Sequence, residues 1–296
     1  MKIEELIAQG WNRHDDDPDA VHDFLAESVE LVSNEVQLHA FARLLTHVHA
    51  EHLNNRGAGV SVLEQLRVRF EDEARTKYRP AITSIGILRF IDGDSAPLNP
   101  LTAEERASAL ATAASALAWH GQLDQALTIF QRARAEGSEG LHDGSPAMRA
   151  LAVAGNNLSV MLERRHDRSE GQAAAMVEMA DAALEYWRQA GGWLEVERAH
   201  YRCARSRIYS GRLLEAIDCA ERCLLTCEQY SAPPYERFFA HVVGAVACQA
   251  ADRLEEFERM KSLAAAQYSA LSADERVSCQ DEVAELGLDD TLIAKT

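Results

Sequence analysis

From Ala107 to Gly137 the chain reads ASALATAASALAWHGQLDQALTIFQRARAEG, two apolar stripes separated by a glycine. Ala107, Ala111, Ala114 and Ala118 recur at steps of three and four in the first half, and Leu123, Ala126, Leu127, Phe130 and Ala133 do so in the second. Such steps place side chains on one face of an α-helix, so each half predicts a helix with one buried stripe. Gly121 predicts the reversal that lays the two stripes against each other. Similar pairs are predicted along the chain, from Asn34 to Asn54 with Val60 to Lys77, from Ala147 to Arg164 with Glu170 to Ala190, and from Tyr235 to Ala250 with Leu254 to Ser269. Before them, Ile3 to Arg13 and a segment from Pro18 to Leu31 read as helices, with Asp17 as N-cap and Pro18 at the first helical position. Ala81 to Ile91 adds a single apolar helix, and Thr102 with Glu105 forms a capping box that opens the central pair. Ser272 with Glu275 forms a second one, for a closing acidic helix to Leu286 and a frayed tail from Asp289.

The 107 to 137 pair resembles a tetratricopeptide repeat. Gly121, Leu123, Ala126, Phe130 and Ala133 stand at the family's spacing for turn glycine, large apolar residue, alanine, aromatic and alanine. Gly211, Leu213, Ala216, Ala220 and Cys223 repeat that spacing. In the first helix the family prefers a Trp, a Leu-Gly pair and a Tyr, where this chain has Leu110, Ala113-Ala114 and Leu117, so the resemblance is to a degenerate member. Turns near 121, 166 and 211 lie about 45 residues apart, against about 34 in the family's basic unit, so its helices are expected to run roughly a turn longer. The resemblance implies an all-α fold, a right-handed α-solenoid of antiparallel hairpins whose first helices line a concave face. It also implies binding of proteins or peptides. Asp92 to Leu101, DGDSAPLNPL, is the strongest loop signal and divides an N-terminal helical module, 1-92, from a repeat array, 102-288, with its C-terminal helix as a cap.

Composition narrows the range of partners. The formal charge is −17, with 47% hydrophobic and 26% charged residues. Phosphate neutralisation needs a basic face, so this charge argues against a nucleic-acid partner. No apolar run approaches the ~20 residues of a membrane span, and acidic residues occupy the start where a signal peptide needs an apolar stretch. A cytoplasmic location is expected. All six cysteines lie between Cys203 and Cys279 with no Cys-x-x-Cys pair, and they read as small buried hydrophobes in a reducing compartment. No phosphate loop, nucleophile elbow or placed Ser/His/Asp set occurs. The expectation is a protein that is not an enzyme and carries no cofactor.

Two stretches carry candidate chemistry. Between Trp193 and Leu213 five arginines (198, 202, 205, 207 and 212) stand against two glutamates in an otherwise acidic chain. Arg binds carboxylates bidentately and Tyr adds flat contact area, so a basic, aromatic helix on a groove suits an acidic peptide segment or a free C-terminus. Mapped by the turn glycines, the groove positions are Arg198, Tyr201, Arg205 and Tyr209, with Asn156 and Asn157 on the neighbouring first helix placed to bond a ligand backbone. The competing reading pairs these arginines with neighbouring glutamates, and a homodimer is left open. The second stretch is His47-Val-His49-Ala-Glu-His52, where His49 and His52 share a helical face and His39 lies about three turns away. The metalloprotease spacings are absent, so partly exposed histidines, some capped by Glu51, are expected here and no metal site is assigned. A peptide-sensing regulator is one alternative to a scaffold or adaptor, and a metal-dependent enzyme using the His39 to His52 helix is another.

Overall fold

The computed structural model describes residues 2–53, 55–70, 79–138, 141–142 and 144–288. Among them are 15 α-helices and no strand. They fall into two compact units, Met1–Ala154 and Gly155–Thr296.

The first unit holds α1 (Ile3–Arg13), α2 (Pro18–Glu27), α3 (Glu35–His47), α4 (Arg56–Arg69), α5 (Arg79–Ile91), α6 (Ala103–Trp119), α7 (Leu123–Gly137) and the start of α8 (Pro146–Glu163). Its core gathers the stripes read from sequence: Leu38, Phe41, Leu44 and Leu45 of α3 meet Leu63 and Leu66 of α4 and Leu88 of α5, all fully buried. The helix starts follow their caps, since the side chains of Asp17, Asn34 and Thr102 accept from the backbone N–H groups of Ala20, Gln37 and Glu105. Asp92 to Leu101 carries structure of its own. It forms a short 3-10 turn, Ala96–Leu98, that packs on α5 and buries Leu98 and Leu101 within the first unit. The ends of the segments expected at Asn54 and Lys77, and the tail from Asp289, lie outside the described residues.

The second unit continues from α8 through α9 (Glu170–Ala190), α10 (Trp193–Tyr209), α11 (Leu213–Gln229), α12 (Pro234–Ala250) and α13 (Leu254–Ser269) to α14 (Ala273–Val277) and α15 (Gln280–Leu286). Each helix from α9 to α12 packs on the next, and α10 also packs on α12, so the first helices of these two hairpins are neighbours. Three hairpins close by one device. Gly121, Gly211 and Asp252 take φ of 77°, 75° and 56°. The following N–H returns to the carbonyl five residues earlier: Gln122 to Leu117, Arg212 to Arg207 and Arg253 to Cys248, each at 2.9 Å. This left-handed stop satisfies the last carbonyls of the first helix and aims the chain back along it. The single acidic closing helix expected from Ser272 is two. It breaks at Ser278 and Cys279, and the break lets Cys279 and Leu286 both reach the core.

The two-helix unit also appears as a close approach. A Cβ on Gly155 of α8 would stand 2.8 Å from the Met179 carbonyl oxygen and 3.1 Å from the Ala183 Cβ, both on α9. Gly155→Ala is expected to lower stability by about 1–3 kcal/mol, because overpacking against a backbone exceeds the ~1 kcal/mol gained in helix propensity. Urea unfolding followed by circular dichroism reads the change, and a variant as stable as wild type would mean that α8 and α9 can separate freely.

Candidate functional site

Every arginine of α10, and Arg212 just after it, meets a carboxylate of the chain itself. Arg198 holds Glu236 of α12, with Nη2 to Oε1 at 2.5 Å and Nε to Oε2 at 3.2 Å. Arg202 reaches Glu163 of α8 at 2.5 Å, and Arg207 reaches Asp181 of α9 at 2.9 Å. Arg212 pairs with Glu215. Arg205 is the most developed of these. Its Nη1 donates to both oxygens of Glu285 on α15, at 2.8 and 2.7 Å, while its Nη2 donates to the Tyr209 hydroxyl at 2.9 Å. Arg205 and Tyr209 are four residues apart and so share a face of α10. The Arg168 guanidinium lies 5.5 Å from the Tyr209 ring.

The sequence-derived groove residues separate by depth. Tyr209 is exposed and Arg205 half-buried, whereas Tyr201 packs edge-on to Phe239 with ring centroids 6.0 Å apart, and burial pushes its hydroxyl pKa up. Asn156 is half-buried on α8 with an Oδ1 that meets no hydrogen-bond donor among the described residues, and Asn157 stands half-buried beside it. Arg198 covers a carboxylate that is itself buried, since Glu236 is 6% exposed. It is therefore a structural partner as much as a surface group. One acid escaped the sequence reading: Glu197, buried within α10, accepts from the Cys223 thiol at 2.8 Å and from the Cys227 thiol at 3.6 Å. Its other oxygen, Oε2, has no partner among the described residues, and burial raises its pKa to about 7. All six cysteines are free thiols, and Cys223 and Cys227 do more than fill space.

The histidines of the first unit are arranged otherwise than the helical period predicts. After His47 the helix widens into a π-turn, Val48–His52, closed by the Leu53 N–H on the Val48 carbonyl at 2.8 Å. In a regular α-helix residues five apart stand about 140° apart around the axis. The wider turn reduces that angle, and the Nε2 atoms of His47 and His52 come to 3.2 Å. His49 is thereby turned away from His52 and is fully buried, not partly exposed. Its Nδ1 donates to the Asn55 carbonyl at 2.8 Å and its Nε2 meets His22 Nδ1 at 2.9 Å, while burial lowers its pKa to about 4. His39 is exposed on α3, outside the group. The third member comes from elsewhere in the chain: His14, at the C-cap of α1, places its ring 4.8 Å from His47 and 5.1 Å from His52.

Two-helix hairpins with a left-handed turn residue, with α10 beside α12, make this an all-α protein built of antiparallel helix hairpins. No family model and no curated protein match the chain. Among solved structures it is similar to a Podosopora anserina putative kinesin light chain with nearly identical TPR-like repeats, at 15% identity over 79% of this chain and 95% of that one, TM-score 0.48. A point-substituted form of that protein matches at 15% identity over 79% and 94%, with the same TM-score. Among the described residues no helix is long and apolar enough to cross a membrane.

Proposed function

We propose that the second unit is a non-enzymatic binding module for protein or peptide segments that carry carboxylates, acting in the reducing cytosol that six free thiols suit. The observation that carries this reading is the Arg205 clamp: one guanidinium takes both oxygens of Glu285 while Tyr209 holds its other nitrogen. A charged hydrogen-bond donor fixed by a rigid neighbour recognises a carboxylate by geometry as well as charge. Here that carboxylate belongs to the chain's own α15, on a short helix near the end of the described residues. An acidic partner segment or a free C-terminus competes with Glu285 for the same atoms. Tyr209 and Asn156 extend the contact, and Arg198 stays engaged with Glu236.

A fluorescent acidic peptide with a free C-terminus, titrated into the full chain, tests the reading. Glu285→Gln is expected to tighten binding, because the internal competitor loses its charge. Arg205→Ala is expected to cost about 1.5–3 kcal/mol, the range for hydrogen bonds to charged groups. Binding should also weaken with salt, since exposed charges are screened over about 8–10 Å at physiological ionic strength. The assignment fails if Glu285→Gln and Arg205→Ala both bind like wild type, or if neither wild type nor Glu285→Gln binds acidic peptides at all.

A further inference from the structure

The histidine group of the first unit has a ligand set that the binding function leaves unused. One ligand atom from each of His14, His47 and His52 lies within 4.8 Å of the others. The Asp15 carboxylate stands on the solvent side, 3.7 Å from the Nε2 of His14 and 3.7 Å from that of His52. We propose that His14, His47 and His52 bind one divalent first-row transition ion through their Nε2 atoms, with Asp15 as the fourth, solvent-facing ligand.

The ring orientations carry the proposal. His14 Nδ1 donates to the Trp11 carbonyl at 2.7 Å, so its Nε2 is the lone-pair nitrogen. His47 Nδ1 faces the Glu51 carboxylate at 3.4 Å, which likewise leaves Nε2 as the lone pair. Metal-bound histidines characteristically donate their second ring N–H to a carbonyl or carboxylate; His14 already does, and His47 turns its second nitrogen toward a carboxylate. Ligands about 2.0–2.1 Å from a tetrahedral zinc stand about 3.3 Å from one another. His47 and His52 are already at 3.2 Å, and the remaining nitrogens close the difference by side-chain rotation. Without an ion, the close pair needs one proton shared between two nitrogens. With one, all the lone pairs have a common target.

Burial and surroundings agree. The side chains of His14, His47 and His52 are 15%, 24% and 9% exposed, while Asp15 is 72% exposed, so entry is from the Asp15 side. The rings of Trp11 and Trp119 flank the group, 5.1 Å from His47 and 5.5 Å from His52. Three imidazoles with one carboxylate suit zinc, iron, nickel or copper better than magnesium or calcium. An ion here ties the end of α1 to the π-turn after α3.

The test uses the full chain stripped with a chelator and titrated calorimetrically with Zn2+. One ion per chain is expected. His47→Ala and His52→Ala should each weaken binding by more than about 100-fold, and Glu51→Gln by about 10- to 100-fold, the usual effect of losing the hydrogen-bond partner of a ligand. His39→Ala, exposed and outside the group, should bind like wild type. If a histidine variant does not fold, the visible spectrum of wild type with one equivalent of Co2+ decides: intense tetrahedral bands support the site, and the pale spectrum of the hydrated ion overturns it. Wild type that takes up no Zn2+, or folded His47→Ala and His52→Ala proteins that bind as well as wild type, would also overturn it.

Discussion

Between pH 5 and pH 8 one buried carboxyl is expected to remove about 2 kcal/mol of stability from the wild-type protein, since each pKa unit corresponds to ~1.4 kcal/mol. The group is Glu197, 1% exposed, whose folded pKa of about 7 lies above the 4.5 of a free glutamate. Burial is the main cause and the nearby Glu236 carboxylate adds to it, while the Cys223 thiol donating to Oε1 works in the opposite direction. The sign follows from proton binding. A carboxyl whose folded pKa is raised holds its proton more tightly in the native state, so its protonated form is fully accommodated below pH 4.5. Stability is lost as pH climbs from there through about 7. Glu197→Gln removes the titration while keeping the shape. Urea midpoints of the two proteins at pH 5 and pH 8 should diverge at the higher pH in favour of the glutamine variant. A constant difference at both values would show that Glu197 is ionised in the fold, paired in some way other than with the two thiols.

Replacing Phe238 by Ala is expected to cost about 3–5 kcal/mol, the range for removing a buried aromatic ring. Phe238 is 0% exposed and belongs to the core that joins α11, α12 and α13 with the closing helices: Ala216, Val242, Phe257, Ala264, Cys279 and Leu286. Its ring lies 5.4 Å from that of Phe239 and 5.6 Å from that of Tyr268, so the cavity opens where two hairpin helices and α14–α15 converge. Collapse into that space is resisted by helices that already touch through alanines. Leu225→Ala, 61% exposed on α11, serves as the control and should stay within about 0.5 kcal/mol. Equal midpoints for the two variants would contradict the packing of the second unit. Because α15 carries Glu285, Phe238→Ala is also expected to loosen the internal competitor of the Arg205 clamp, which the same peptide titration would detect as tighter binding per folded molecule.

The hairpins are legible in the sequence because their causes are local. Apolar residues three and four apart make a stripe whatever surrounds them. Gly121 and Gly211 tolerate positive φ, and Asp17, Asn34, Thr102 and Ser272 can cap only the helix that follows them. Charge follows from counting. The pairing of the α10 arginines does not, because Glu163, Asp181, Glu236 and Glu285 lie on four other helices, and only packing brings an acid of α15 to a base of α10. The histidines show the limit most clearly. A regular helical period assigns His49 and His52 to one face, yet one π-turn sends His49 into the core beside His22 and swings His52 over His47. His14, at 33 positions before His47 in a different helix, carries no signal of its own; a lone histidine at a helix end is ordinary until α1 packs on α3. Glu197 is hidden for the same reason, since its unusual state arises from two thiols on α11 and from the exclusion of water. Local periodicity and capping thus determined the elements and their pairing into hairpins, whereas tertiary packing alone decided which charges meet, which are desolvated, and where three imidazoles converge.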